Sequence, residues 1–386
     1  MPQPKASRRS EISSFIAMDV MREAKSLARE GRDILHLEVG EPGAPPPRAV
    51  REAAMAALQG GRVSYTEAFG LPALREAIAA DYRLRYGVSV DPARVVVTTG
   101  SSGGFILAFL ALIDHGGRIG IPSPGYPAYR NILDALGIAT VEIDTGPEAR
   151  YALSAPAIEA AHARTPLDAV LIMSPANPTG VLTPSNEVKA IAEICARLGI
   201  WLVSDEIYHG LTYEGEEATA FAFSDDAVIV NSFSKYYCMT GWRVGWLIVP
   251  DRLLRPIECL QQNLAISVPY LSQIAAIAAF SAKDDLEIIK AGYARNRAIL
   301  MESLPRLGLP ALPMDGAFYA YCDIARYSND SMAFAQRALR EAGLAITPGL
   351  DFDKTGGNRY VRLSYAGQES DIVAAVKRLE TWLSPR

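Results

Sequence analysis

The chain has 386 residues, 49% of them hydrophobic and 21% charged, and carries a net charge of −5 at pH 7. That describes a globular protein of two domains or one large one, and its acidic balance argues against a nucleic-acid partner. The apolar run 105–113 is too short to cross a bilayer, so no membrane partner is expected.

The N-terminal ten residues are basic, contain Pro2 and Pro4, and lead into no signal-peptide core, so the cytoplasm is the expected location. Cys195, Cys238, Cys259 and Cys322 show no paired spacing, which points to reduced thiols rather than a disulfide framework or a zinc site. His36, His115, His162 and His209 have no metal-ligand spacing and are given no catalytic role.

Residues 14–31 place Phe15, Met18, Met21, Ala24 and Leu27 close to helical spacing and end in Gly31, predicting a helix with a glycine cap. Residues 34–40 predict a short strand running into Glu41-Pro42-Gly43-Ala44-Pro45-Pro46-Pro47. Its prolines forbid regular structure, and the chain is expected to cross between domains there. A helix over 48–59 follows, then a loop containing Tyr65 and Gly70 before Leu74-Arg75.

Residues 94–99, 117–121, 139–143, 169–173, 200–204, 227–230 and 245–249 are Val- and Ile-rich, and most are separated by helical stretches such as 187–198. This predicts an α/β fold: a three-layer α/β/α large domain around a mostly parallel seven-stranded sheet. In such sheets ligands lie at the carboxyl ends of the strands, and the informative residues fall there.

Gly100-Ser101-Ser102-Gly103-Gly104 after the first strand is a candidate anion cup leading into a helix from Phe105. Tyr126, after Pro122-Ser123-Pro124-Gly125, offers a flat ring for stacking, with Tyr129 as the competing or core aromatic. Asn177 in Ser174-Pro175-Ala176-Asn177-Pro178-Thr179-Gly180 is held in a turn with its amide available. Asp205 ends a buried apolar run and must be paired there, while alternation turns Glu206 to the other side.

Asn231-Ser232-Phe233-Ser234-Lys235 follows the sixth strand, and Arg243 comes eight positions after the lysine. A buried lysine tends toward its neutral form, a nucleophile for an aldehyde, and the hydroxyls and guanidinium beside it suit a phosphate. Helices over 253–264, 271–280 and 284–304 carry the chain into a smaller α+β domain with strands at 314–319 and 359–365. Arg362, inside an apolar strand, needs a carboxylate, from an internal ion pair or from substrate.

Ser232-Phe233-Ser234-Lys235 with Met239-Thr240-Gly241-Trp242-Arg243-Val244-Gly245, together with the motifs around Tyr65, Asn177 and Asp205, resembles the fold-type I aminotransferases of class I and II. The resemblance runs from about residue 10 to the C-terminus. It implies pyridoxal phosphate as cofactor, with Lys235 forming the Schiff base and Ser232, Arg243, Gly100, Ser101 and Ser102 around the phosphate. It further implies Tyr126 stacked on the ring, Asp205 on the ring nitrogen, and Asn177 and Tyr208 on the ring oxygen, with Asn177 also reaching the substrate carboxylate. Gly40 contributes backbone contacts to substrate, Arg362 takes its α-carboxylate, and Tyr65 reaches the phosphate of the neighbouring subunit in a homodimer with shared active sites.

The implied division is an N-terminal segment, 1–45, joining a small domain, 286–386, beside a large cofactor domain, 46–285. The implied reaction moves an amino group from an L-amino acid to a 2-oxo acid by a ping-pong route, with lysine, aspartate and Tyr208 in the catalytic roles. Two alternatives stand beside it: a β-lyase on the same fold, and a regulatory module that kept the cofactor site. The substrate pair is left open.

Overall fold

In the computed structural model, residues 3–384 are described. Met1, Pro2, Pro385 and Arg386, which the expected ranges 1–45 and 286–386 include, lie outside the described residues. The chain enters through the helix Ile16–Arg29 and the short strand β1, Leu35–His36. It then builds the large sheet from β2 (Val95–Thr98), β3 (Arg118–Ser123), β4 (Ala139–Asp144), β5 (Ala169–Met173), β6 (Trp201–Asp205), β7 (Val228–Ser232) and β8 (Gly245–Ile248). Their order is β2-β8-β7-β6-β5-β3-β4.

Only β8 runs against its neighbours; it pairs antiparallel with both β2 and β7, and the remaining pairs are parallel. All residues of β2, β5, β7 and β8 are buried, as a sheet covered on both faces requires. The fold class is the expected one.

The second sheet is antiparallel, β11 (Thr347–Pro348), β12 (Tyr360–Ser364) and β9 (Tyr319–Asp323), with Thr347 and Tyr321 flanking Arg362 in register. β1 pairs parallel with β10 (Leu344–Ala345), which ties the N-terminal segment to the C-terminal part. The same tie recurs at the helix Ile16–Arg29. Its first amides, on Ile16 and Ala17, donate to the Asp351 carboxylate at 3.1 and 3.0 Å, capping a helix start that has no side-chain cap of its own.

Three local expectations are corrected. The run Gly100 to Gly104 is not a loop before a helix but the first turn of the helix Gly100–Leu112. Glycine and serine are weak helix formers, and tertiary packing overrides that preference here. The strand expected at 34–40 ends at His36, because beyond Leu37 the backbone bonds side chains instead: the Glu38 carbonyl accepts from Thr347 Oγ1 at 2.8 Å and Arg362 Nη2 at 2.6 Å. The strand expected at 314–319 begins only at Tyr319, because Gly316 and Ala317 donate to Gly180 and Leu211 in loops of the large sheet.

Candidate active site

The carboxyl ends of β5, β6 and β7, the start of the helix Gly100–Leu112 and the small sheet enclose a cavity of about 410 Å³. Gly40, Ser101, Ser102, Tyr126, Asn177, Asp205, Tyr208, Lys235, Arg243 and Arg362, all singled out from the sequence, line it together. They come from segments more than 300 residues apart in the chain, which is why a parallel sheet is needed to gather them.

Lys235 is half-buried, and its amine donates to the Gly40 carbonyl at 2.6 Å. Burial and then the nearby Arg362 charge push its pKa down to about 8, against the opposing pull of Glu41. An appreciable fraction of the amine is therefore neutral near pH 8. On the facing wall Asp205, 2% exposed, accepts the Ile207 amide at 3.0 Å and the Tyr129 hydroxyl. Burial pushes the Asp205 carboxyl up to about 7, and these two donors oppose that rise.

The open choice between two tyrosines is thus divided by geometry. Tyr129 is fully buried behind Asp205, whereas Tyr126 is half-buried and borders the cavity, edge-on to Phe15 at 5.7 Å between ring centroids. Glu206 points away from the cavity, toward Ser204, Thr219 and the Ala220 amide.

Arg362 is 2% exposed and lies over the Tyr319 and Phe352 rings at 4.3 and 4.7 Å. Its donors reach Asn177 Oδ1 at 2.8 Å and the Glu38 carbonyl at 2.6 Å, while Nε has no partner among the described residues. A buried guanidinium without a carboxylate is costly, and a ligand carboxylate is the complement it lacks. Holding Arg362 through Oδ1 leaves the Asn177 Nδ2 hydrogens free for a ligand.

Arg243 is exposed, and among the described residues its guanidinium bonds only the Thr240 carbonyl, at 3.0 Å. A Cβ on Gly100 would come within 2.4 Å of its Nη2, so the glycine makes room for the guanidinium at the helix start. Arginine, serine hydroxyls and a helix N-terminus together form an anion subsite.

Two residues expected at this site, Gly100 and Ser232, do not line the cavity. Gly100 lies under Arg243; Ser232, 1% exposed, bonds the Val244 carbonyl and Ser234 Oγ, so Ser234 is the hydroxyl at the wall. Tyr65, expected to act on a neighbouring subunit and not in this chain's own cavity, is 79% exposed on the outer surface of the single chain.

Sequence reasoning missed Phe15, Ala17, Met18, Val39, Glu41 and Tyr319, which also line the cavity. Phe15 and Met18 read as an ordinary helical face, and nothing local marks them. Tyr319 had one signal, Gly40: a Cβ there would sit 1.7 Å from the Tyr319 hydroxyl, which in turn bonds Tyr208 Oη at 2.6 Å.

Comparison with known proteins shows the family. The family model "Aminotransferase class I and II" matches residues 32–379. The chain is 48% identical to a valine–pyruvate aminotransferase of Mycobacterium tuberculosis, over 97% of each protein. It is 34% identical to an aspartate/prephenate aminotransferase of Thermus thermophilus, over 93% of each. Among solved structures, an aminotransferase from Mycobacterium tuberculosis superposes with a TM-score of 0.96 at 47% identity, over 99% of both chains. Aspartate aminotransferase from Thermus thermophilus with maleate gives 0.92 at 32% identity, covering 97% of this chain and 99% of that one. The chain belongs to the class I and II aminotransferases and is a transaminase.

Proposed function

We propose that the chain is a pyridoxal-phosphate-dependent transaminase that takes an apolar L-amino acid as donor and a small 2-oxo acid such as pyruvate as acceptor. One observation carries the reading: a lysine with a depressed pKa shares a cavity with two arginines, Arg243 and Arg362, neither of which has a carboxylate partner among the described residues. Two anion subsites flanking an amine nucleophile fit a phosphorylated aldehyde on one side and a substrate carboxylate on the other.

The residues present fit that cofactor. Ser101, Ser102, Ser234 and Arg243, with Ser232 behind Ser234, would hold its phosphate; Tyr126 would stack on its ring; Asn177 and Tyr208 would donate to its ring oxygen. When bound, the cofactor supplies an aldehyde that condenses with amines and a protonated ring that accepts electron density from the substrate Cα.

The chain's own groups do the rest. Asp205 holds the proton at the ring nitrogen, and Tyr129 and the Ile207 amide orient its carboxylate. Lys235 provides the amine nucleophile and then moves the proton at the substrate Cα. Arg362 and Asn177 fix the α-carboxylate, and the Gly40 carbonyl, which holds the Lys235 amine, borders the substrate. Donor and acceptor use one site in turn, so kinetics are ping-pong.

The donor class rests on Phe15, Ala17, Met18 and Val39, apolar residues lining the same cavity as Arg362, and on the likeness to the valine–pyruvate enzyme. With Arg243 assigned to the phosphate and Arg362 to the α-carboxylate, no arginine lining the cavity among the described residues is left for an acidic side chain.

The reading includes a cytoplasmic homodimer. Met55, Leu58, Val63, Tyr65, Leu264 and Ile266 are exposed, and the Thr66 amide donates to Ser267 Oγ, which ties the Tyr65 loop to the 264–267 segment; in this reading these side chains meet the second copy. A second copy there would bring Tyr65 to its partner's phosphate subsite. In this reading residues 46–285 carry the cofactor, and 286–386 with 1–45 form the substrate wall. No helix among the described residues is long and apolar enough to cross a membrane.

The test is alanine formation from pyruvate with a panel of single L-amino acids. Aliphatic donors are expected to exceed aspartate and glutamate in kcat/KM; preference for the acidic pair would overturn the donor assignment.

A further inference from the structure

Glu38 is a buried charge that the transamination chemistry does not use. Its side chain is fully buried; Oε1 bonds His36 Nδ1 at 2.8 Å, and Oε2 has no partner among the described residues. Its backbone carbonyl accepts Arg362 Nη2 at 2.6 Å and Thr347 Oγ1 at 2.8 Å. Residues 36 and 38 are two apart in extended chain, so both side chains project to one face, and Leu37 between them is locked by its amide to Ala345 and its carbonyl to Ser364. The placement of the Glu38 carbonyl therefore depends on keeping its carboxylate buried. A buried carboxylate is tolerated when a cation and a hydrogen bond compensate it.

We infer that His36 and Glu38 are positioning residues for substrate binding: the charged pair fixes the carbonyl on which Arg362 is held, and thereby the affinity for a substrate carboxylate. The inference rests on the assignment of Arg362 to the substrate carboxylate made above. The two differ in kind, since Arg362 touches the ligand and the pair acts only through it.

His36 is exposed on its outer side, where solvent protons reach it. The charged groups facing the pair are Lys25 of the helix Ile16–Arg29, which opposes protonation of His36, and Arg362 of β12, on the Glu38 carbonyl. The hydrogen bond to Glu38 outweighs burial and Lys25, so His36 titrates above its ordinary value of 6.5. His36 carries its proton below that raised value and loses it as pH rises through it. Carboxylate affinity is expected to fall along the same course.

The probe is 3-methylbutanoate, a branched monocarboxylate without an amine, whose Kd for the cofactor-loaded enzyme is measured by calorimetry. His36→Gln, at the surface, is expected to bind it about fivefold more weakly than wild type near pH 6, the lower end of coupling between two sites, and equally near pH 9. Its kcat with saturating donor is unchanged. In a Glu38→Gln background, His36→Gln is expected to add nothing, because no buried charge remains to be compensated.

Comparing variant with wild type at each pH cancels the titration of the cofactor itself. A ratio of Kd values that is the same at both pH values, or a loss in kcat with Kd unchanged, would overturn the inference while leaving Arg362 in place. Arg362→Gln is the control. If it leaves the Kd unchanged, the assignment of Arg362 fails, and the inference fails with it.

Discussion

The floor and the wall of the cavity are built differently. The floor residues, Asn177, Asp205, Ser234 and Lys235, sit just past or at the ends of β5, β6 and β7, each fixed by the strand it follows. The wall, Phe15, Met18, Val39, Gly40, Tyr319 and Arg362, is assembled from the N-terminal segment and the small sheet. Its key bonds reach across the chain, as from Arg362 to Glu38 and from Asp351 to the helix Ile16–Arg29. A floor held by one rigid sheet suits bond making, which needs atoms held to within a fraction of an ångström, whereas a wall from separate segments suits recognition. Substitutions at Asp205, Ser234 and Lys235 should therefore act on kcat and wall substitutions on KM and selectivity, with Asn177, which holds Arg362, acting on both.

The largest effect is expected at Lys235. Lys235→Ala should lower kcat by about 10^4-fold, the upper range for losing a positioned acid-base group, with little change in the Kd of 3-methylbutanoate. A large loss of carboxylate affinity in this variant would blur the division. Arg362→Lys should do the reverse, raising KM by about 10- to 100-fold through loss of hydrogen bonds to a charged group, and leaving kcat within a few-fold.

A smaller effect should mark the outer wall. Phe15→Ala is expected to cut the preference for an aliphatic donor over alanine by about tenfold, the scale of one lost apolar contact. Uniform loss for both donors would mean that Phe15 serves the fold and not selectivity.

The smallest is a matter of pH. Because the Lys235 amine titrates near 8, the rate at which cofactor-free protein captures pyridoxal phosphate should rise through pH 8 as the neutral nucleophile forms, then level off. Stopped-flow absorbance at several pH values reads this directly, and a rate that falls across that window would contradict the sign of the shift.

The same contrast explains what the sequence made legible. Strand ends announce floor residues because an apolar run followed by Asp205 or Lys235 places a polar group where the sheet opens, and the seven strands emerged from Val and Ile content alone. Arg362 was visible because an arginine inside an apolar strand is anomalous. Phe15 and Met18 were not, because their spacing is that of any amphipathic helix and only the distant Asp351 turns that helix start to the cavity. Ser234 and Ser232 differ by two positions in one motif. Which of them lines the cavity depends on the turn after β7, where Ser232 Oγ is spent on the Val244 carbonyl. The first turn of the helix Gly100–Leu112 read as loop because its composition opposes helix, although tertiary contacts override it.

The central claim is that the Lys235 amine is where the cofactor attaches. Borohydride reduction of the pyridoxal-phosphate-loaded enzyme, followed by peptide mass mapping, tests it most directly. The account predicts a single reduced cofactor adduct, on Lys235, which disappears when an amino-acid donor is added first without an acceptor. An adduct on another lysine, or none in protein that binds the cofactor stoichiometrically, would contradict it.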